Sequence, residues 1–208
     1  MTSVSSGAGR PCCLTRPPSI EGSFGGNQMW TSTLLMQNCG CGIIAALDAV
    51  LRYEGISALT MDEYLKRFDE ASRFIKPIVL PGKRENPKSF GVSTIGFKRG
   101  IRKYAAARGV SIKAKGFIFD YEERAKKYLA MGVPVIALIA APFNNVNIVN
   151  CNGVGSTIGF HWVTCTGIDD KYLEVSSWGG IHRIELSDLD KASAGVRFYA
   201  VLPWNMSE

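Results

Sequence analysis

The feature that most restricts the fold of this chain is the order of its periodicities. Up to Met131 apolar residues recur mainly at three-to-four spacing; after Gly132 they form alternating or unbroken apolar runs. From Gly42 to Tyr53, Ile43, Ala46, Leu47, Val50 and Leu51 make one helical stripe, and Gly55 stops it. Thr60 and Glu63 have capping-box spacing and open a second helix that runs to about Arg73. A third spans about Val92 or Ser93 to Arg108, and a fourth Tyr121 to Met131, with a strand between them from Ser111 to Phe119. Strands then follow at Val133–Ala140, Phe160–Gly167, Tyr172–Ser176, Ile181–Leu186 and Val196–Leu202. Helices ahead of strands, without alternating βαβ units, predict an α+β fold with an antiparallel sheet.

A chain of 208 residues suits one well-buried domain. Residues 1–27 are rich in Ser, Gly, Pro and Thr and read as a flexible arm ahead of a domain over 28–208. Gly25-Gly26 reads as loop, with a double-glycine processing site as the rarer use of such a pair. Pro77 to Ser89 reads as a surface loop. The polar stretch from Asn144 to Gly153 either covers a cleft or is plain surface loop.

The net charge of +6 comes from 24 basic and 18 acidic side chains that are scattered. Lys98-Arg99 and Arg102-Lys103 fall on the exposed side of a helix. No motif supports nucleic-acid binding, so a solvated face is the simpler reading. No apolar run is long enough to span a bilayer. Met1–Gly7 has neither a basic start nor an apolar core, which favours a cytoplasmic protein or one exported by another route.

Six cysteines raise disulfides, metal binding and catalysis as uses. Without a secretory signal a disulfide framework is disfavoured. Cys12-Cys13 and Cys39-Gly-Cys41 lack the spacing of a zinc site, so neither metal nor cofactor is expected. Catalysis needs a thiolate, which a helix N-terminus and a neighbouring imidazolium both favour. Cys39-Gly-Cys41-Gly stands directly ahead of the strongest helix, and a buried structural thiol is the alternative. The histidines are His161 and His182. His161 opens a strand among aromatic neighbours, as a general base in a cleft would; His182 follows Gly179-Gly180 and is expected to face solvent. Cys165 shares strand parity with His161 and reads as a small buried hydrophobe.

The flanking residues carry a resemblance. Cys41-Gly-Ile-Ile-Ala-Ala-Leu-Asp-Ala-Val-Leu-Arg-Tyr-Glu-Gly55 resembles the nucleophile helix of papain-like cysteine peptidases. It is most similar to the bacteriocin-processing, double-glycine leader peptidases and their free-standing relatives. Gly132-Val-Pro-Val-Ile is similar to their Gly-x-Pro-Val strand. Phe160-His161-Trp162-Val-Thr-Cys-Thr-Gly167-Ile-Asp resembles their histidine strand, and Tyr172-Leu-Glu-Val-Ser-Ser-Trp178-Gly179 the strand ending in Trp-Gly. Together these cover about residues 28 to 203 in the family's order.

The resemblance implies a two-lobed α+β papain-like fold, its nucleophile helix packed on a C-terminal antiparallel sheet. It implies a thiol peptidase or related amide hydrolase acting on peptide or protein through an acyl-enzyme. Cys41 would be nucleophile, with Cys39 as rival, and His161 the base. The orienting Asn or Asp is replaced by Ser176 (or Ser177), and Asp169 or Asp170 are poorly placed substitutes. The oxyanion glutamine would be Gln37, four residues rather than six before Cys41, with Asn38 beside it and Gln28 further back. Deamidation or acyl transfer could use the same groups. A papain-fold binding protein impaired in catalysis, and a redox or zinc protein using Cys12, Cys13, Cys39 and Cys41, are the readings from other classes.

Overall fold

The computed structural model describes residues 16–80, 89–141 and 146–206. Cys12, Cys13, the Gly82–Asn86 turn and Asn144-Asn145 lie outside them.

The stripe of Ile43, Leu47, Val50 and Leu51 folds as expected, but the helix is not half-exposed. Cys41 to Leu51 are all buried, so this helix is covered on every side and forms the centre of the molecule. Along the chain come β1 (Ser19–Ile20), β2 (Ser23–Phe24), a 3-10 turn at Gln28–Trp30, α1 (Leu34–Cys39) and α2 (Cys41–Tyr53). They are followed by β3 (Ala58–Leu59), α3 (Met61–Ser72), β4 (Ile78–Val79), β5 (Ser89–Phe90), α4 (Thr94–Ala107) and β6 (Ile112–Phe117). Then come α5 (Tyr121–Ala130), β7 (Val135–Ala140), β8 (Val146–Asn150), β9 (Gly155–Ile158) and β10 (Phe160–Ile168). The chain closes with β11 (Tyr172–Ser177), β12 (Gly180–Glu185), α6 (Leu186–Lys191) and β13 (Val196–Pro203). Thr60 and Glu63 form the anticipated capping box of α3.

The fold is α+β. An eight-stranded sheet in the order β6-β13-β7-β10-β11-β12-β8-β9 carries α2 and α4 on one face and α5 against the other. All its pairings are antiparallel. Strand alternation divides two cores: Trp162 and Tyr199 join Leu47, Tyr64, Phe68 and Phe97 beneath the helices, while Val163, Cys165 and Phe198 join Leu129, Leu173 and Leu189 behind the sheet. Glu54, at the end of α2, ties α3 and α4 to it through Arg67 (2.7 Å) and Arg108 (2.9 Å). No helix among the described residues is long and apolar enough to cross a membrane.

Three expectations change. The arm expected over 1–27 is built into the fold from Pro17 onward: Ile20 is fully buried and β1 pairs with β2 and β3. The polar stretch before His161 is in its described part a β-hairpin, β8–β9, that extends the sheet, with Val146 and Ile148 inward and Asn147 outward. Leu34–Cys39, for which no helix was expected, forms α1, capped by the Thr33 hydroxyl accepting from the Met36 N–H.

Candidate active site

Cys41 is the first residue of α2, and Gly40 is at once the end of α1 and the cap of α2. The next position must be small. A Cβ on Gly42 would press on Val92 and on the Trp162 ring, which pack directly over the helix start. Trp162 is fixed there by its indole N–H, which donates to the Val92 carbonyl (2.9 Å). Cys41 and His161, 5% and 6% exposed, both border one narrow pocket with Gly26, Gln28, Ile44, Thr164, Ser177 and Trp178. Its free volume is only about 10 Å³, the room one water needs.

His161 Nε2 lies 2.7 Å from Ser177 Oγ, whereas Ser176, the residue expected to orient it, is turned elsewhere. Strand parity explains the difference. Thr164 pairs with Ser176, so Ser176 shares the sheet face of Thr164 and Trp162; Ser177 shares the face of Val163 and His161. Ser176 still borders the pocket, but its hydroxyl donates to the Phe24 carbonyl (2.9 Å). Trp178 stacks on the imidazole with ring centres 4.7 Å apart, and its edge meets His182 at 5.5 Å. To reach that position Trp178 takes φ +49° beside Gly179 at +75°. A non-glycine residue in that region costs about 1–2 kcal/mol. His182 is consequently half-buried against Trp178 rather than simply facing solvent.

Gln37 does not enter the pocket. Its amide donates to the Thr31 carbonyl (2.8 Å). Gln28, carried back by the 3-10 turn, lines the pocket instead, with its amide donating to the Gln37 carbonyl. Cys39 is also outside: it ends α1, buried, with Sγ 3.1 Å from Ser89 Oγ. Asp169 accepts the Lys171 and Tyr172 N–H groups in its own turn, and Asp170 pairs with Lys126, so neither reaches His161.

The resting charges follow from burial. Desolvation pushes the Cys41 thiol up to about 11, against the opposing pull of the Trp162 and Gly42 backbone N–H groups. Desolvation, helped by the charge His182 would carry, lowers His161 to about 4. At neutral pH the site thus holds a thiol and a neutral imidazole. Among the described residues no hydrogen bond joins the two.

Asp48 sits inside the apolar run of α2 and is not among the residues expected at the site. Seven residues beyond Cys41, it lies two turns along the same helix face. Its carboxyl is 2% exposed and accepts from Tyr64 Oη (2.7 Å) and the Gly26 N–H (3.2 Å). Burial raises it to about 7. It fastens the Phe24–Gln28 segment, which walls the pocket, to the Cys41 helix. This accounts for the paired glycines: Gly25 has φ +75° and its Cα faces Ser176 and Asp48, while a Cβ on Gly26 would collide with Tyr64 Oη.

No family model matches the chain, and no curated protein matches it. Among solved structures it is similar to a crystal structure described as a "putative C39-like peptidase" from Bacillus anthracis, with a TM-score of 0.49 and 19% identity, covering 78% of this chain and 88% of that one.

Proposed function

We propose that the protein is a thiol peptidase or related amide hydrolase in which Cys41 attacks and His161 carries the proton. The observation that supports it most is that the first residue of α2, the start of β10 and the end of β11 all border one pocket, with Ser177 and Trp178 holding the imidazole. In the tautomer whose Nε2–H donates to Ser177 Oγ, the Nδ1 lone pair is free to take the thiol proton. The thiolate sulfur then bonds to the substrate carbonyl carbon, and the oxyanion develops near Gln28 and the backbone N–H groups at the start of α2. Collapse expels the amine, which takes its proton from His161, and water hydrolyses the thioester by the reverse proton path. The peptide itself must bring Nδ1 and Sγ into reach, since catalytic hydrogen bonds commonly tighten only in the substrate complex.

Because no carboxylate among the described residues supports the imidazolium, the reactive free enzyme is the neutral pair. Hydrolysis of fluorogenic peptides is expected to show kcat/KM level from about pH 5 to pH 10, between the two shifted groups. A steep rise between pH 6 and 8 would show an imidazole near its ordinary value and contradict this. One specific observation favours a second reading, a papain-fold binding protein without turnover: among the described residues no hydrogen bond joins Cys41 to His161. Peptide binding without hydrolysis at any pH decides for it. Deamidation and acyl transfer would use the same acyl-enzyme with a different donor or acceptor.

A further inference from the structure

A second concavity, of about 500 Å³, lies outside this pocket and is bounded by the first turns of α4, the end of β6, α5 and the start of β13. Its volume is that of a small-ligand or short-peptide site. Its walls are apolar and unusually exposed: Phe119 is 81% and Ile95 63% accessible, with Ile118 beside them. Lys98, Arg124 and Arg197 also line it, and among the described residues no acidic side chain does. Arg124 lies over the Phe117 ring at 5.0 Å, and Arg197 donates to the Val196 carbonyl (2.7 Å).

Sheet register relates this groove to the Cys41 pocket. His161 and Val196 both pair with Ile139 from opposite sides, and Phe198 pairs with Phe117. The start of β10, the end of β7, the start of β13 and the end of β6 therefore share one end of the sheet. From His161 to Val196 is two strand spacings, about 10 Å, and β6 is about 5 Å further. An extended peptide rises about 3.3 Å per residue, so three or four residues bridge the interval.

We infer that the groove is a specificity subsite for an acidic side chain with an apolar neighbour, on a peptide substrate whose scissile bond lies three or four residues away at Cys41. This rests on the peptidase reading for the position of the scissile bond; the groove's chemistry stands apart from it. The cationic lining selects the carboxylate, and Ile95, Ile118 and Phe119 cover the apolar neighbour.

The test measures fluorescence anisotropy of two labelled dodecapeptides, alike except for a central Phe-Glu-Glu or Phe-Gln-Gln, on the full chain carrying Cys41→Ala. The Glu peptide is expected to bind about tenfold more tightly at low salt. Adding Lys98→Glu should remove that advantage. Adding Lys103→Glu instead, an equal charge change on an exposed part of α4 outside the groove, should leave most of it. Equal affinity for the two peptides, or equal losses from Lys98→Glu and Lys103→Glu, overturns the subsite. Hydrolysis by the unmodified protein is scored separately. Selective binding of the Glu peptide without cleavage speaks against the peptidase and upholds the groove; cleavage of both peptides at equal rates does the reverse.

Discussion

Alanine in place of Cys41 is expected to lower kcat/KM for peptide hydrolysis by at least about 10³-fold, because removing the nucleophile of an acyl-enzyme mechanism leaves only binding and oxyanion stabilisation. His161→Ala should cost a similar factor, and the double variant little more, since nucleophile and base act as one unit. The neighbouring thiol supplies the contrast. Cys39 is just as buried, but its sulfur faces Ser89 outside the pocket. Cys39→Ala should therefore leave kcat/KM within about threefold, in the range of surface-like changes rather than chemistry. The two serines separate in the same way. Ser177→Ala removes the partner of His161 Nε2 and should lower kcat with KM nearly unchanged, whereas Ser176→Ala loosens the Phe24 strand and should show mainly as lost stability. Steady-state kinetics on the six variants check the pattern. Equal losses from Cys39→Ala and Cys41→Ala would contradict it.

The second large effect concerns folding and pH. Asp48 is held at about 7 against an ordinary 3.8, so between those values the folded chain keeps a proton that the unfolded chain releases. Stability supplied by this group is full below about pH 4 and falls as pH rises to about 7, by about 4 kcal/mol in all at 1.36 kcal/mol per pH decade. His161 has the opposite sign. It is held at about 4 against 6.5, so the unfolded chain binds the extra proton and stability rises between those values, by about 3 kcal/mol. In the intact protein the two slopes largely cancel between pH 4 and 6.5. Urea unfolding at several pH values should expose them. Relative to the parent, Asp48→Asn should gain stability as pH rises from 4 to 7, and His161→Gln should lose it from 4 to 6.5. Parallel curves for parent and variants would show that neither group is buried as described.

Much of this site could be read from the sequence, and what could not has physical causes. The α2 stripe and the alternation of β10 put Cys41 and His161 near the starts of their elements, because both elements bury a periodic apolar face. Gln37, expected on the oxyanion side, lies outside the pocket because spacing along the chain says nothing of a segment that loops back; the 3-10 turn brings Gln28 to the pocket while α1 turns Gln37 to Thr31. The choice of Ser177 over Ser176 follows from the register that pairs Thr164 with Ser176, and a strand's own alternation does not reveal its register with a neighbour. The α1 helix was missed because six residues carry too little periodicity, and β8 because Asn147 and Asn150 are poor strand formers. Asp48 gave a signal that went unused: a carboxylate inside an apolar helix, on the face of the nucleophile, needs a partner, and it finds two in Tyr64 and the Gly26 backbone.

The central claim is that Cys41 becomes acylated during turnover. The protein is mixed with a peptide thiobenzyl ester, quenched in acid within seconds, digested and examined by mass spectrometry. The acyl mass is expected on the fragment containing Cys41, disappearing in Cys41→Ala and much reduced in His161→Ala. An adduct confined to the exposed Cys151, or an acyl group on Cys39 that survives Cys41→Ala, would contradict the account.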